Sequence, residues 1–156
     1  MGYKLAVCGR NAEALSSTVA QCLAANSDLT PENVKRIYCF SFISHSGIFN
    51  FFQVLSLVGD MTVEKDCHDA VEKTVTHFKR IDVLVPCAGI LTPSPLETIS
   101  MEDYDKLMDI NVRSIVLLMK LAVPHIILSK GNIVNVSSVT GLRAVNLFIF
   151  SLLISL

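Results

Sequence analysis

Apolar positions alternate along the chain between short continuous runs and helical stripes. Tyr3–Val7 is a short apolar run closed by Cys8-Gly9-Arg10 and reads as a strand. Asn11 can cap a helix from Ala12 to about Ala25, with Leu15, Val19, Cys22 and Leu23 along one face. Residues 26–33 are turn-like around Pro31, and Val54–Val58 reads as a second buried strand closed by Gly59-Asp60. Thr62 is placed to cap a helix whose apolar face is Val63, Cys67, Ala70, Val71, Val75 and Phe78. Ile81–Val85 is a third strand and leads into Pro86-Cys87-Ala88-Gly89. Ser100-x-x-Asp103 opens a long helix from Met101 to about Leu128, which Pro124 is expected to kink or end. Gly131–Ser137 is the fourth strand. Its near-continuous Ile/Val run ends in small polar residues, as a parallel-sheet strand does when it delivers side chains to a site. Strands alternating with helices of this length predict an α/β fold with a doubly wound parallel sheet.

The chain has 156 residues, enough for one domain with its own core. Its net charge of -1 provides no electrostatic footprint for nucleic acid. Hydrophobic residues make up 51%, which is high for a soluble domain, and Ile37–Leu57 and Val145–Leu156 supply much of the excess. Ile37–Gly59 carries no charge and is long enough to consider as a membrane span. Ser41, Ser44, His45, Ser46, Asn50 and Gln53 would all enter the hydrocarbon, which argues against one. The run Leu147–Leu156 is too short to span and would be a sticky terminus. The five cysteines are widely spaced, odd in number and contain no C-x-x-C, so neither a metal site nor a disulfide framework is suggested. With no signal-peptide layout at the N-terminus, the expectation is a cytoplasmic protein with reduced thiols.

GNIVNVSSVTG at Gly131–Gly141 resembles the catalytic-serine strand of the short-chain dehydrogenase/reductase family. Arg10 after the first strand, Gly59-Asp60-Met61-Thr62, Pro86-Cys87-Ala88-Gly89 and Met108-Asp109-Ile110-Asn111-Val112 also resemble that family's pattern, in the right order and at workable spacing. Together they cover most of Gly2–Ala144, and the 3-oxoacyl reductase-like branch is the nearest match. The resemblance implies a Rossmann-like sheet and NAD(P)-linked interconversion of a small carbonyl and an alcohol. Arg10 would pair with a 2′-phosphate and so favours NADP over NAD. Asp60 would hydrogen-bond the adenine edge, while Ala88 and Gly89 would let the backbone approach the cofactor. Pro86 and Cys87 stand where the family usually has two asparagines, and Cys87 reads as a buried small residue rather than a nucleophile. Asn111 would hold a proton-relay water, and Ser138, preceded by Ser137, would hydrogen-bond the substrate oxygen. The helix 101–128 resembles the one through which the family commonly dimerises. It makes a homo-oligomer, or association with intact subunits, an alternative to catalysis.

The departures from the family weigh as much as the matches. The family opens on a strand and Thr-Gly-x-x-x-Gly-x-Gly, whose amides cradle the pyrophosphate, and no such loop occurs here. The tyrosines are Tyr3, Tyr38 and Tyr104, so none follows Ser138, and the expected Tyr and Lys positions fall near Ser151 and Ser155. The expectation is therefore a partial doubly wound sheet, missing its first strand and C-terminal part, with catalysis absent and cofactor binding doubtful. Val34–Gln53 matches nothing in the family and is expected to be an insertion. A valine codon at its start, a pyrimidine-rich end compatible with CAG and a length that preserves frame suit a retained intron, and the tail from Val145 has the same character. In the family order 3-2-1-4-5-6 the missing strand lies in the middle. Its loss is expected to separate Tyr3–Val7 with Val54–Val58 from Ile81–Val85 with Ile133–Val136. That leaves open apolar edges, low solubility and no cooperative melting.

Overall fold

A computed structural model describes residues 2–24, 35–40, 50–92, 94–95 and 97–138. The turn at 26–33 and the tail at 145–156 lie outside these residues. In chain order the elements are β1 (Gly2–Gly9), α1 (Ala12–Ala24), β2 (Lys35–Phe40), β3 (Asn50–Val58), α2 (Glu64–Phe78), β4 (Val83–Pro86), α3 (Met101–Met108), a π-helical turn (Asp109–Arg113), α4 (Ser114–Ser129) and β5 (Asn132–Ile133).

The strands form one sheet in the order β3-β1-β2-β4-β5, with every neighbouring pair parallel. This confirms the α/β doubly wound class and corrects the expected split into two pieces. β2, from within Val34–Gln53, occupies the middle of the sheet. It pairs with β1 from Tyr3↔Lys35 to Val7↔Cys39 and with β4 from Ile37↔Val83 to Phe40↔Pro86. The physical reason is twofold. Ile37, Tyr38 and Phe40 are good strand formers. The inner edges of β1 and β4 also carry backbone donors and acceptors that must be paired when buried.

Both first-turn caps read from the sequence on α1 and α3 are present. Ala14 donates its amide to Asn11 Oδ1 at 2.9 Å, and Asp103 donates to Ser100 Oγ at 3.0 Å. Leu15 of α1 packs with Leu5 and Val7 on one face of the sheet. On the other face, Cys67, Ala70, Val71 and Phe78 of α2 and Leu118, Ala122 and Ile126 of α4 close over Ala6, Cys8, Leu57 and Leu84.

Three local expectations change. Thr62 does not cap α2: the N-cap position is Val63, with no side-chain cap bond, and Val63 is exposed. Pro124 does not end the long helix, because the burial of Leu118, Ala122 and Ile126 on either side of it holds the backbone helical to Ser129. By length and composition Met101–Ser129 is apolar enough to cross a membrane, but Leu107, Ile110, Leu118, Ala122 and Ile126 are buried. The fourth strand is the two residues Asn132–Ile133, extended by one further bond from Val134 N to Leu84 O, and Val134 and Val136 are exposed. It pairs with β4 alone, so among the described residues nothing covers the far side of this run.

Candidate functional site

The carboxyl ends of β1, β3 and β4 converge. Gly9 ends β1 and Arg10 follows it, Gly59–Thr62 follow β3 and Cys87–Ile90 follow β4. Together with Asn11, Ala14, Leu15 and Thr18 of α1 and with Ile110, they line a pocket of about 440 Å³. The strand ends of an open parallel sheet are where such folds bind ligands, because loops diverge there and leave a crevice. Arg10, Asp60, Ala88 and Gly89, proposed separately from the sequence as cofactor contacts, therefore share one cavity.

Arg10 and Asp60 face each other at the pocket, with Nη1 and Oδ2 3.8 Å apart. Arg10 is exposed and Asp60 is only part-buried, so solvent screens the pair and it contributes little stability. Its effect is to hold two polar groups of opposite charge at the rim. Asp60 Oδ1 accepts the Thr62 amide at 2.9 Å and the Thr62 hydroxyl at 2.8 Å. The Thr62 amide is the main reason that the Asp60 acid lies below its ordinary value. The Thr62 hydroxyl and the Arg10 charge add to the effect, against the cost of burial. Sequence reading made Thr62 a helix cap; its polar atoms are spent on Asp60 instead.

A second carboxylate escaped sequence reading. Asp66 Oδ2 accepts the backbone amide of Asp60 at 2.8 Å. Gly59 favours this approach, since a Cβ there would stand 3.2 Å from Asp66 Cβ, closer than ordinary contact. The signal available in the sequence was an acidic residue in the first turn of a helix just after a Gly-Asp turn, which is common and therefore weak.

Asn111 lies in the π-helical turn. Its Oδ1 accepts the Ile90 amide at 2.8 Å and its Nδ2 donates to the Ile90 carbonyl at 2.9 Å. The side chain thus acts like a facing peptide and clamps the loop after β4. Gly89 has room for a methyl group, its nearest neighbour being Asn111 Oδ1 at 3.5 Å, so packing alone does not demand glycine there. Cys87 is half-buried and packs against Leu5, Val7 and Leu15. Burial pushes the Cys8 and Cys67 thiols up to about 11, so neither is a thiolate nucleophile near neutral pH. Ser138 is not brought into this pocket. Like Ser137 it is exposed beyond the point where β5 pairing stops.

A parallel α/β sheet with a polar-rimmed crevice at its strand ends is the arrangement in which open α/β folds place a ligand site. The chain belongs to the short chain dehydrogenase family, whose model matches residues 48–150. L-fucose dehydrogenase from Mus musculus is 38% identical over 84 residues, covering 53% of this chain and 31% of that protein. An uncharacterized oxidoreductase from Thermotoga maritima is 47% identical over 81 residues, covering 51% and 32%. 2-(R)-hydroxypropyl-CoM dehydrogenase from Xanthobacter autotrophicus is 41% identical over 96 residues, covering 59% and 38%. The chain thus spans about a third of the length of the curated relatives it matches. A short-chain dehydrogenase/reductase from Serratia marcescens superposes with a TM-score of 0.68 at 22% identity, over 97% of this chain and 66% of that one. The KRED1-Pglu enzyme does so with a TM-score of 0.66 at 22% identity, over 93% and 60%. At this identity the likeness is one of fold.

Proposed function

We propose that the pocket takes the adenosine end of NADP, in a protein whose class interconverts small carbonyl compounds and alcohols. The observation that carries this reading is the convergence of Arg10, Asp60, Ala88 and Gly89 on one crevice at the strand ends. Their chemistry fits the group. A guanidinium suits a 2′-phosphate, a carboxylate held ionised suits an adenine amino edge, and small residues admit a close backbone. Asp60 sits 3.8 Å from Arg10, so a 2′-phosphate would draw the guanidinium away from a partner it already has. When bound, the dinucleotide supplies or accepts the hydride; the chain's part is to hold and orient it.

Binding is the test. The purified chain is expected to bind 2′,5′-ADP about ten-fold tighter than 5′-AMP, and Arg10→Ala to erase the difference, as one charge-assisted phosphate contact would. Equal affinities in the unaltered chain would overturn the NADP assignment. Cytoplasmic residence belongs to the same reading.

A second reading is favoured by α4. Val116 and Ile127 are exposed, and Leu128 is 84% exposed, on a helix whose opposite face is buried. An apolar face of this kind supports pairing with another copy or with intact family subunits. A strictly monomeric species in light scattering, with no capture of a full-length relative, would remove it.

A further inference from the structure

We infer that Ser114 is a positioning residue for the nucleotide pocket and acts through the π-helical turn. The inference rests on the pocket being the cofactor site proposed above.

The argument starts from backbone bonding. The Ser114 amide donates to the Asp109 carbonyl, five residues back. In an α-helix it would serve the carbonyl four residues back, that of Ile110. The Ile110 carbonyl receives the Ser114 hydroxyl instead, at 2.5 Å. A helical serine often bonds the carbonyl four residues behind it as a secondary contact. Here the hydroxyl takes the place of the amide that the π turn diverts. Ser114 is 1% exposed and Ile110 is also buried, so water has no ready access to that carbonyl.

A π turn holds one residue more than the α-helical turn it replaces. Closing it would rotate the helix on one side by about 100° relative to the other. Asn111 lies inside the turn, and both its side-chain bonds go to Ile90. Ile90, with Cys87, Ala88 and Gly89, forms one wall of the pocket, and Ile110 also lines it. The Ser114 hydroxyl stabilises the open turn, the turn aims Asn111, and Asn111 fixes the wall.

Hydrogen–deuterium exchange of the 156-residue chain tests this without nucleotide. Ser114→Ala is expected to speed exchange of the Ile90 amide by about ten-fold or more, as loss of one buried hydrogen bond would. The Leu84 amide in the sheet should keep its protection, and 2′,5′-ADP affinity should fall by a similar factor. Ile90 protection unchanged in Ser114→Ala overturns the inference. Ser114→Thr keeps the hydroxyl and decides the matter if the alanine variant unfolds: near-native Ile90 protection supports the role, and loss of it refutes the role. Failure of the unaltered chain to bind 2′,5′-ADP would count against the cofactor reading instead, because the exchange readout needs no ligand.

Discussion

Asp66 accepts the backbone amide of Asp60 at 2.8 Å and so ties the first turn of α2 to the turn that presents the pocket's acid. Gly59 lies beside this bond, where a Cβ would stand 3.2 Å from Asp66 Cβ.

Asp66→Ala is expected to cost about 1–2 kcal/mol in chemical denaturation, while Asp66→Asn, which keeps an acceptor oxygen, retains most of that. A matching loss in both variants would show that the charge, not the hydrogen bond, matters. Asp60 adds a pH dependence. Its folded acid is held below the ordinary 3.8, so its contribution is present above that value and is lost as pH falls through the lowered one. Asp60→Asn should therefore flatten the acid limb of the stability curve below about pH 4.

The central position of β2 makes cooperativity depend on it. With ladders on both sides of Lys35–Phe40, the sheet is continuous from β3 to β5 and a single thermal transition is expected. Tyr38→Pro removes a donor and places a ring in a central strand, which should abolish that transition. A sharp melt that survives in the variant would mean that β1 and β4 hold together without this strand.

Thr74 is 1% exposed, and its hydroxyl has no hydrogen-bond partner among the described residues. Thr74→Val keeps the shape and removes the stranded polar atom, so a gain of about 1 kcal/mol is expected in urea denaturation. A loss of stability would indicate that the hydroxyl is satisfied in solution.

Gly131 ends α4 by donating its amide to the Ile126 carbonyl at 2.9 Å, with Lys130 in the left-handed region at φ 53. A Cβ on Gly131 would clash with the Asp82 carbonyl oxygen. Gly131→Ala must move backbone rather than a flexible side chain, and a loss of about 3 kcal/mol is expected. Near-native stability of that variant would show that α4 and β4 are less tightly joined than the structure has them.

Much of the local architecture is legible without coordinates. Asn11 and Ser100 cap their helices because a cap is a contact over three residues and needs nothing distant. The buried face of α2 follows from helical periodicity, with Val63 the exception because the helix begins one residue later. Arg10, Asp60, Ala88 and Gly89 were each visible as parts of a family pattern, and the structure places all of them on one pocket. The Ser138 site was equally visible as sequence, yet strand pairing stops before it and Ser138 does not line that pocket.

What the chain's own pattern determines is the succession of strands and helices and the parallel α/β class, since these depend on composition within a few positions. What tertiary structure alone decided is which strand stands in the middle, that Thr62 serves Asp60 rather than a helix, and that the long helix opens into a π turn to reach Ile90. Each of those is settled by backbone and side-chain groups seeking partners far along the chain. Burial makes an unpaired donor or acceptor costly, and no local pattern records which distant group will satisfy it.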